Sequence, residues 1–184
     1  MISDDRTLGP TLDLVRTALL AALCAAVGYL LAGIPNVELI STATFVCGAL
    51  CGVRRGAVIG LLGGGIFAGL NPNGLSPPPL YAAQVTGFVL LGAGGGAMGP
   101  ILGRAGLGLQ AVVAAACGFA LTLVYDVLTN VAVWLMAREG ASLIAVIVGG
   151  LSFPLPLLHV GVNTLAFGLV VPAVLRAVRR RSAA

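Results

Sequence analysis

The residues able to do chemistry in this chain are few, and most come in spaced pairs. Asp126 and Asn130 are four apart, His159 and Asn163 are four apart, and Tyr81 and Gln84 are three apart. Such spacings put each pair on one face of a helix. Tyr125 and Thr129 flank Asp126, and Trp134 continues the line of Asn130. Glu38 follows Asn36, and Asn71 and Asn73 open the stretch NPNGLSPPPLYAAQ, residues 71–84. Carboxylate, imidazole, phenol and amide groups of this kind can bind a polar small molecule, relay protons, or tie helices together. Catalysis is not indicated. The chain has no H-E-x-x-H, no G-x-S-x-G, no Walker A lysine and no Cys/His spacing for zinc. No enzyme activity, metal or cofactor is therefore expected. Cys24, Cys47, Cys51 and Cys117 fall inside apolar runs and read as small apolar fillers.

A membrane fold must hold these groups. Of 184 residues, 59% are hydrophobic and 9% are charged, against about 25% charged in a soluble domain. At about 20 residues per crossing, the chain has room for five or six helices and no separate soluble domain. The expected class is an all-α integral membrane protein: six transmembrane helices in one compact bundle, with residues 1–184 as a single domain. The spans are expected at about 12–32, 37–52, 57–70, 80–102, 107–137 and 155–178. The opening run reads as a first span rather than a signal peptide, because no clear small-x-small site closes it. Residues 141–151 are apolar but too short to cross, and read as an interfacial or re-entrant piece. Pro72 and Pro77 to Pro79 predict a stiff, non-helical connection before the fourth span, and Gly74 permits a tight turn.

Charge orients the bundle. All ten basic residues are arginine. With six spans, Arg6, Arg16, Arg54, Arg55, Arg104, Arg176, Arg179, Arg180 and Arg181 share one side with both termini, and Arg138 stands on the other. The positive-inside rule then places both termini in the cytoplasm. The C-terminal arginines read as a topology anchor rather than a nucleic-acid contact. In this orientation Glu38, Tyr81, Gln84, Trp134, His159 and Asn163 map to outer halves of their helices, and Asp126 lies near the middle. The inner halves carry no comparable set, whereas a proton relay needs steps on both sides of the midplane. The expectation is a cavity open to the outside, floored near Asp126 and roofed by the outer loops. The alternative is a set of interhelical hydrogen bonds, each worth about 0.6 kcal/mol.

Small residues predict where helices touch. Gly56, Gly60 and Gly64 recur every four residues, as do Gly92 with Gly96, and Gly95, Gly99 and Gly103. Such rows let backbones approach closely in lipid. Ala18, Ala22 and Ala26 form a similar stripe on the first span, with Ala21 and Ala25 beside it. That stripe suits either internal packing or docking on another membrane protein.

The alanine stripe, NVELISTATFVCGALCGVRRGAVIGLLGGG, NPNGLSPPPLYAAQVTG, YDVLTN and LHVGVNTLAFGLVVPAVL follow one another on successive spans. In that order they resemble the substrate-specific S component of energy-coupling factor (ECF) vitamin transporters, over residues of about 12–180. The resemblance implies a bacterial plasma-membrane subunit that binds a small-molecule vitamin or related micronutrient from outside. It implies partners as well: a membrane T component carrying two cytoplasmic ATPase subunits, reached through the A-x-x-x-A stripe Ala18, Ala22 and Ala26. The substrate-binding candidates are Glu38, Asn71, Asn73, Tyr81, Gln84, Tyr125, Asp126, Asn130, Trp134, His159 and Asn163. The alternative in another class is a multi-span scaffold of the MreD type, which has no ligand.

Overall fold

The computed structural model describes residues 9–34, 36–71, 74–137, 140, 142–152 and 154–182. Among them the chain forms seven α-helices and no strand: α1 Pro10–Leu30, α2 Ile40–Cys51, α3 Val53–Gly69, α4 Pro78–Arg104, α5 Leu107–Met136, α6 Leu143–Ser152 and α7 Pro154–Ser182. Among the described residues, four stretches are long and apolar enough to cross a membrane: Pro10–Leu30, Pro78–Arg104, Leu107–Met136 and Leu157–Arg181. α2 has 12 residues and α3 has 17, about 18 and 26 Å at 1.5 Å per residue. The apolar piece expected at 141–151 is the helix α6.

Helix boundaries moved for physical reasons. Pro78 and Pro79 belong to the first turn of α4, not to the connection before it. A proline there loses nothing, because first-turn N–H groups have no intrahelical acceptor. α2 starts at Ile40, so Glu38 stands in the link before the helix rather than on it. Gly52 alone separates α2 from α3, with φ +89°, a left-handed conformation that glycine adopts without a steric penalty.

α3 and α4 form the spine. α1 packs on α3; α2 packs on α4 and α3; α5 packs on α4 and on α7; α6 lies against α5. The glycine rows make the spine. A Cβ at Gly56 would strike the Gly92 carbonyl, and a Cβ at Gly92 would strike that of Gly56. Gly60 meets the Phe88 backbone, Gly95 that of Phe45 and Gly99 that of Ala49 in the same way. Gly103 falls outside this seam and lies beside Arg179. Where backbones do not touch, rings fill the space: Phe45, Phe88 and Phe167 are fully buried.

On α1 the two alanine stripes separate. Ala21 and Ala25 are buried, while Ala18, Ala22 and Ala26 are exposed. The internal-packing reading therefore holds for the first pair and fails for the stripe of three.

The described arginines gather at one end of the bundle. Arg55 donates to Asp13 at 2.6 Å, joining the starts of α3 and α1. Arg179 donates to the Leu102 carbonyl at 3.0 Å, joining the ends of α7 and α4. Gln110, at the start of α5, donates to the same carbonyl at 2.7 Å.

Candidate functional site

The end of the bundle opposite the arginines holds a cavity of about 280 Å³. Five parts of the fold build it. The end of α1 and the link to α2 supply Gly28, Ala32, Ile34, Asn36, Val37 and Glu38; α3 and its exit supply Phe67 and Asn71. The start of α4 supplies Leu80 and Gln84, α5 supplies Tyr125, Asp126 and Thr129, and α7 supplies His159. Asn36 shapes the link with φ +58°, a left-handed conformation that asparagine tolerates better than most side chains.

At its floor an imidazole bridges two carboxylates. His159 Nδ1 lies 2.8 Å from Asp126 Oδ1, and Nε2 lies 3.3 Å from Glu38 Oε1. Ser41, the second residue of α2, donates its hydroxyl to the same Glu38 oxygen. All three members of the bridge are mostly buried, with side-chain exposures of 8% for His159, 9% for Asp126 and 14% for Glu38. Glu38 Oε1 thus takes two contacts, and no described residue bonds Oε2.

A row of rings carries the bridge across the bundle. Tyr125 meets His159 edge-on, with 5.8 Å between ring centroids. Phe88 meets Tyr125 at 5.4 Å, Phe67 meets Phe88 at 6.1 Å, and Tyr29 meets Phe67 at 5.4 Å. The row joins α7, α5, α4, α3 and α1. Three of its rings lie against a glycine of a neighbouring helix: Tyr125 on Gly87, Phe88 on Gly64 and Phe67 on Gly28. A side chain at any of these glycines would displace a ring.

Of the sequence candidates, Glu38, Asn71, Gln84, Tyr125, Asp126 and His159 come together at the cavity. Asn73 lies outside the described residues. Tyr81 does not line the cavity; its hydroxyl donates to the Gly65 carbonyl at 3.3 Å and ties α4 to α3. Asn130 turns back on its own helix, donating to the Asp126 carbonyl at 2.7 Å, and Gly150 of α6 lies against its amide. Trp134 is half-buried further along α5, away from the lining. Gln84 is held by Ser76, which donates to its Oε1 at 2.9 Å. Residues 74–77 between α3 and α4 thus brace one wall.

Asn163 lies beneath the site rather than in it. α5 and α7 are antiparallel, and their register is fixed at two points. His159 meets Asp126, and Phe167 packs on Gly118. Asn163 and Thr122 stand midway between these points on their helices and share the layer between them. α2 and the link before it repeat the pattern: Glu38 meets His159, Phe45 meets Phe167 at 5.0 Å, and Thr42 lies between in sequence. Thr42 Oγ1, Thr122 Oγ1, both polar atoms of Asn163 and Asp126 Oδ2 are buried without a partner among the described residues. A polar layer therefore separates the charged bridge from the aromatic core.

Sequence reasoning missed Gly28, Asn36, Phe67, Leu80 and Thr129 as lining residues. Thr129 carried a signal, lying three residues after Asp126. The others reach the cavity only because helix ends converge there.

The lining thus gathers two carboxylates, an imidazole, a phenol and the amides of Asn36, Asn71 and Gln84. Among the described residues no group of three or more His, Cys, Asp or Glu is placed to hold a metal. The aromatic floor and amide walls are those of a small-molecule pocket, apolar with a few fixed polar groups. No protein-family profile, curated protein or solved structure matches the chain.

Proposed function

We propose that this protein is the substrate-binding subunit of an ECF-type importer, holding a vitamin or related micronutrient in the cavity at Glu38, Tyr125, Asp126 and His159. The observation that carries the reading is the position of that cavity. It lies at one end of an apolar bundle, and the eight described arginines lie at the other. By the positive-inside rule the arginine end faces the cytoplasm, so the cavity faces outward, as uptake requires. The order of motifs along the chain supports the choice of family.

The reading counts six crossings, with α2 and α3 joining the four long helices, and puts both termini inside a bacterial plasma membrane. α2 is short for a crossing, but eight of its 12 residues are buried. A helix shielded by its neighbours need not match the thickness of the lipid, which sets span length where lipid is the solvent. The exposed stripe Ala18, Ala22 and Ala26 supports a docking face for a T component with its two ATPases, since small residues allow close helix approach.

The test is to purify the protein in detergent and identify by mass spectrometry any small molecule released on denaturation, with calorimetric titration of a vitamin panel. A stoichiometric micronutrient supports the proposal. No ligand, together with co-purifying cell-wall proteins, would favour the MreD-type scaffold.

A further inference from the structure

From the charge and shape of the cavity we infer that its ligand is a small organic cation, held by Glu38; this rests on reading the cavity as a small-molecule site. Two carboxylates, Glu38 and Asp126, face a single imidazole, His159. With both carboxylates ionised, the cluster holds more negative than positive charge whether or not the imidazole is protonated. No described arginine lines the cavity and the chain has no lysine, so no described side chain offsets the excess. A buried, uncompensated charge is costly in a low-dielectric setting, and a bound cation removes that cost.

The geometry assigns the contacts. Asp126 Oδ1 is engaged by His159, and Oδ2 is buried with no described partner. Glu38 Oε1 is engaged by His159 and Ser41, while Oε2 has no described partner. Oε2 is the carboxylate oxygen left for a ligand. Phe67 and Tyr125 line the same space, and aromatic faces attract ammonium groups by their quadrupoles. Asn36, Asn71 and Gln84 also line the cavity, and amide oxygens can accept hydrogen bonds from the ligand's N–H groups. The volume of about 280 Å³ is at the small end of ligand pockets, which favours a compact amine or heterocyclic cation over a large anionic nucleotide.

The test uses the full chain in detergent and three probes of similar size: benzyltrimethylammonium, benzyl alcohol and benzoate. Affinity is read by calorimetry or by the ligand-induced rise in melting temperature, at constant ionic strength. The cation should bind at least about tenfold tighter than either other probe, and Glu38→Gln should lower its affinity about tenfold. Glu38→Asp, which keeps the charge, should retain most of the preference and guards against a misfolded Gln variant. Equal binding of the three probes, or a preference for benzoate, overturns the cation assignment and leaves the small-molecule reading standing. A cation preference unchanged in Glu38→Gln overturns the role of Glu38. Binding of none of them, with no molecule released from the purified protein, overturns the small-molecule reading itself.

Discussion

His159 of α7 meets Asp126 of α5 with 2.8 Å from Nδ1 to Oδ1. The two helices meet here at the cavity floor, and both side chains are under a tenth exposed. The contact therefore serves the fold as well as the site. Removing His159 leaves the Asp126 carboxylate buried without that partner, at a cost of about 3–5 kcal/mol, whereas removing Asp126 leaves His159 its contact with Glu38. His159→Ala is expected to lower the melting temperature by roughly 10 °C, and Asp126→Ala by less. A double-mutant cycle should show the double variant losing much less than the sum, read by thermal unfolding in detergent.

The glycine seam gives a sharper contrast. Gly56→Ala places a methyl group against the Gly92 carbonyl and must push α3 from α4, an overpacking cost of about 1–3 kcal/mol or more. Gly161 also lies within a helix, but a Cβ there meets nothing within 4 Å. Gly161→Ala should be neutral or stabilising, since alanine favours helix over glycine by up to about 1 kcal/mol. Monodisperse yield and melting temperature check both.

The buried polar layer makes a prediction of opposite sign. Thr122 Oγ1 is buried and has no described partner, so its loss should cost little. Thr122→Val keeps the shape and should change stability by less than about 0.5 kcal/mol, or raise it. A drop above about 1 kcal/mol in thermal unfolding would mean that the hydroxyl is satisfied by an internal water.

On α1, neighbouring positions should separate folding from partnership. Ala21 is buried at 2% exposure, and Ala21→Leu is expected to reduce folded yield. Ala22 is exposed, and Ala22→Leu should leave yield and ligand binding unchanged while blocking uptake in cells. Uptake at the normal rate in Ala22→Leu would remove the docking face.

Residue types told most of the story at the charged bridge and little at its surroundings. Glu38, Asp126 and His159 stood out because ionisable groups are rare in an apolar chain, and spacing put Asp126 and His159 on definite helix faces. The same spacing misplaced Asn130. Four residues advance a helix by slightly more than one turn, and α6 covers that side. The spacing of Tyr81 and Gln84 predicts one shared face, yet one bonds α3 and the other lines the cavity. Phe67 and Gly28 could not be found in advance, because they join the site through the convergence of α1 and α3. Glycine rows were legible since backbone contact needs the absence of a side chain, which the sequence displays directly. The count of crossings was less so, because α2 and α3 are shorter than the four long helices.

The single-residue corner at Gly52 also bears on motion at the cavity. With one residue between them, α2 and α3 have no slack, and the glycine seam clamps both to α4 just beside the corner. The first turn of α2 is held as well, since Ile40, Ser41 and Thr42 are buried. Glu38 stands just before that turn, in the link from α1, so any shift of its carboxylate falls on the short link, where Asn36 already adopts a left-handed bend, and not on a sliding α2.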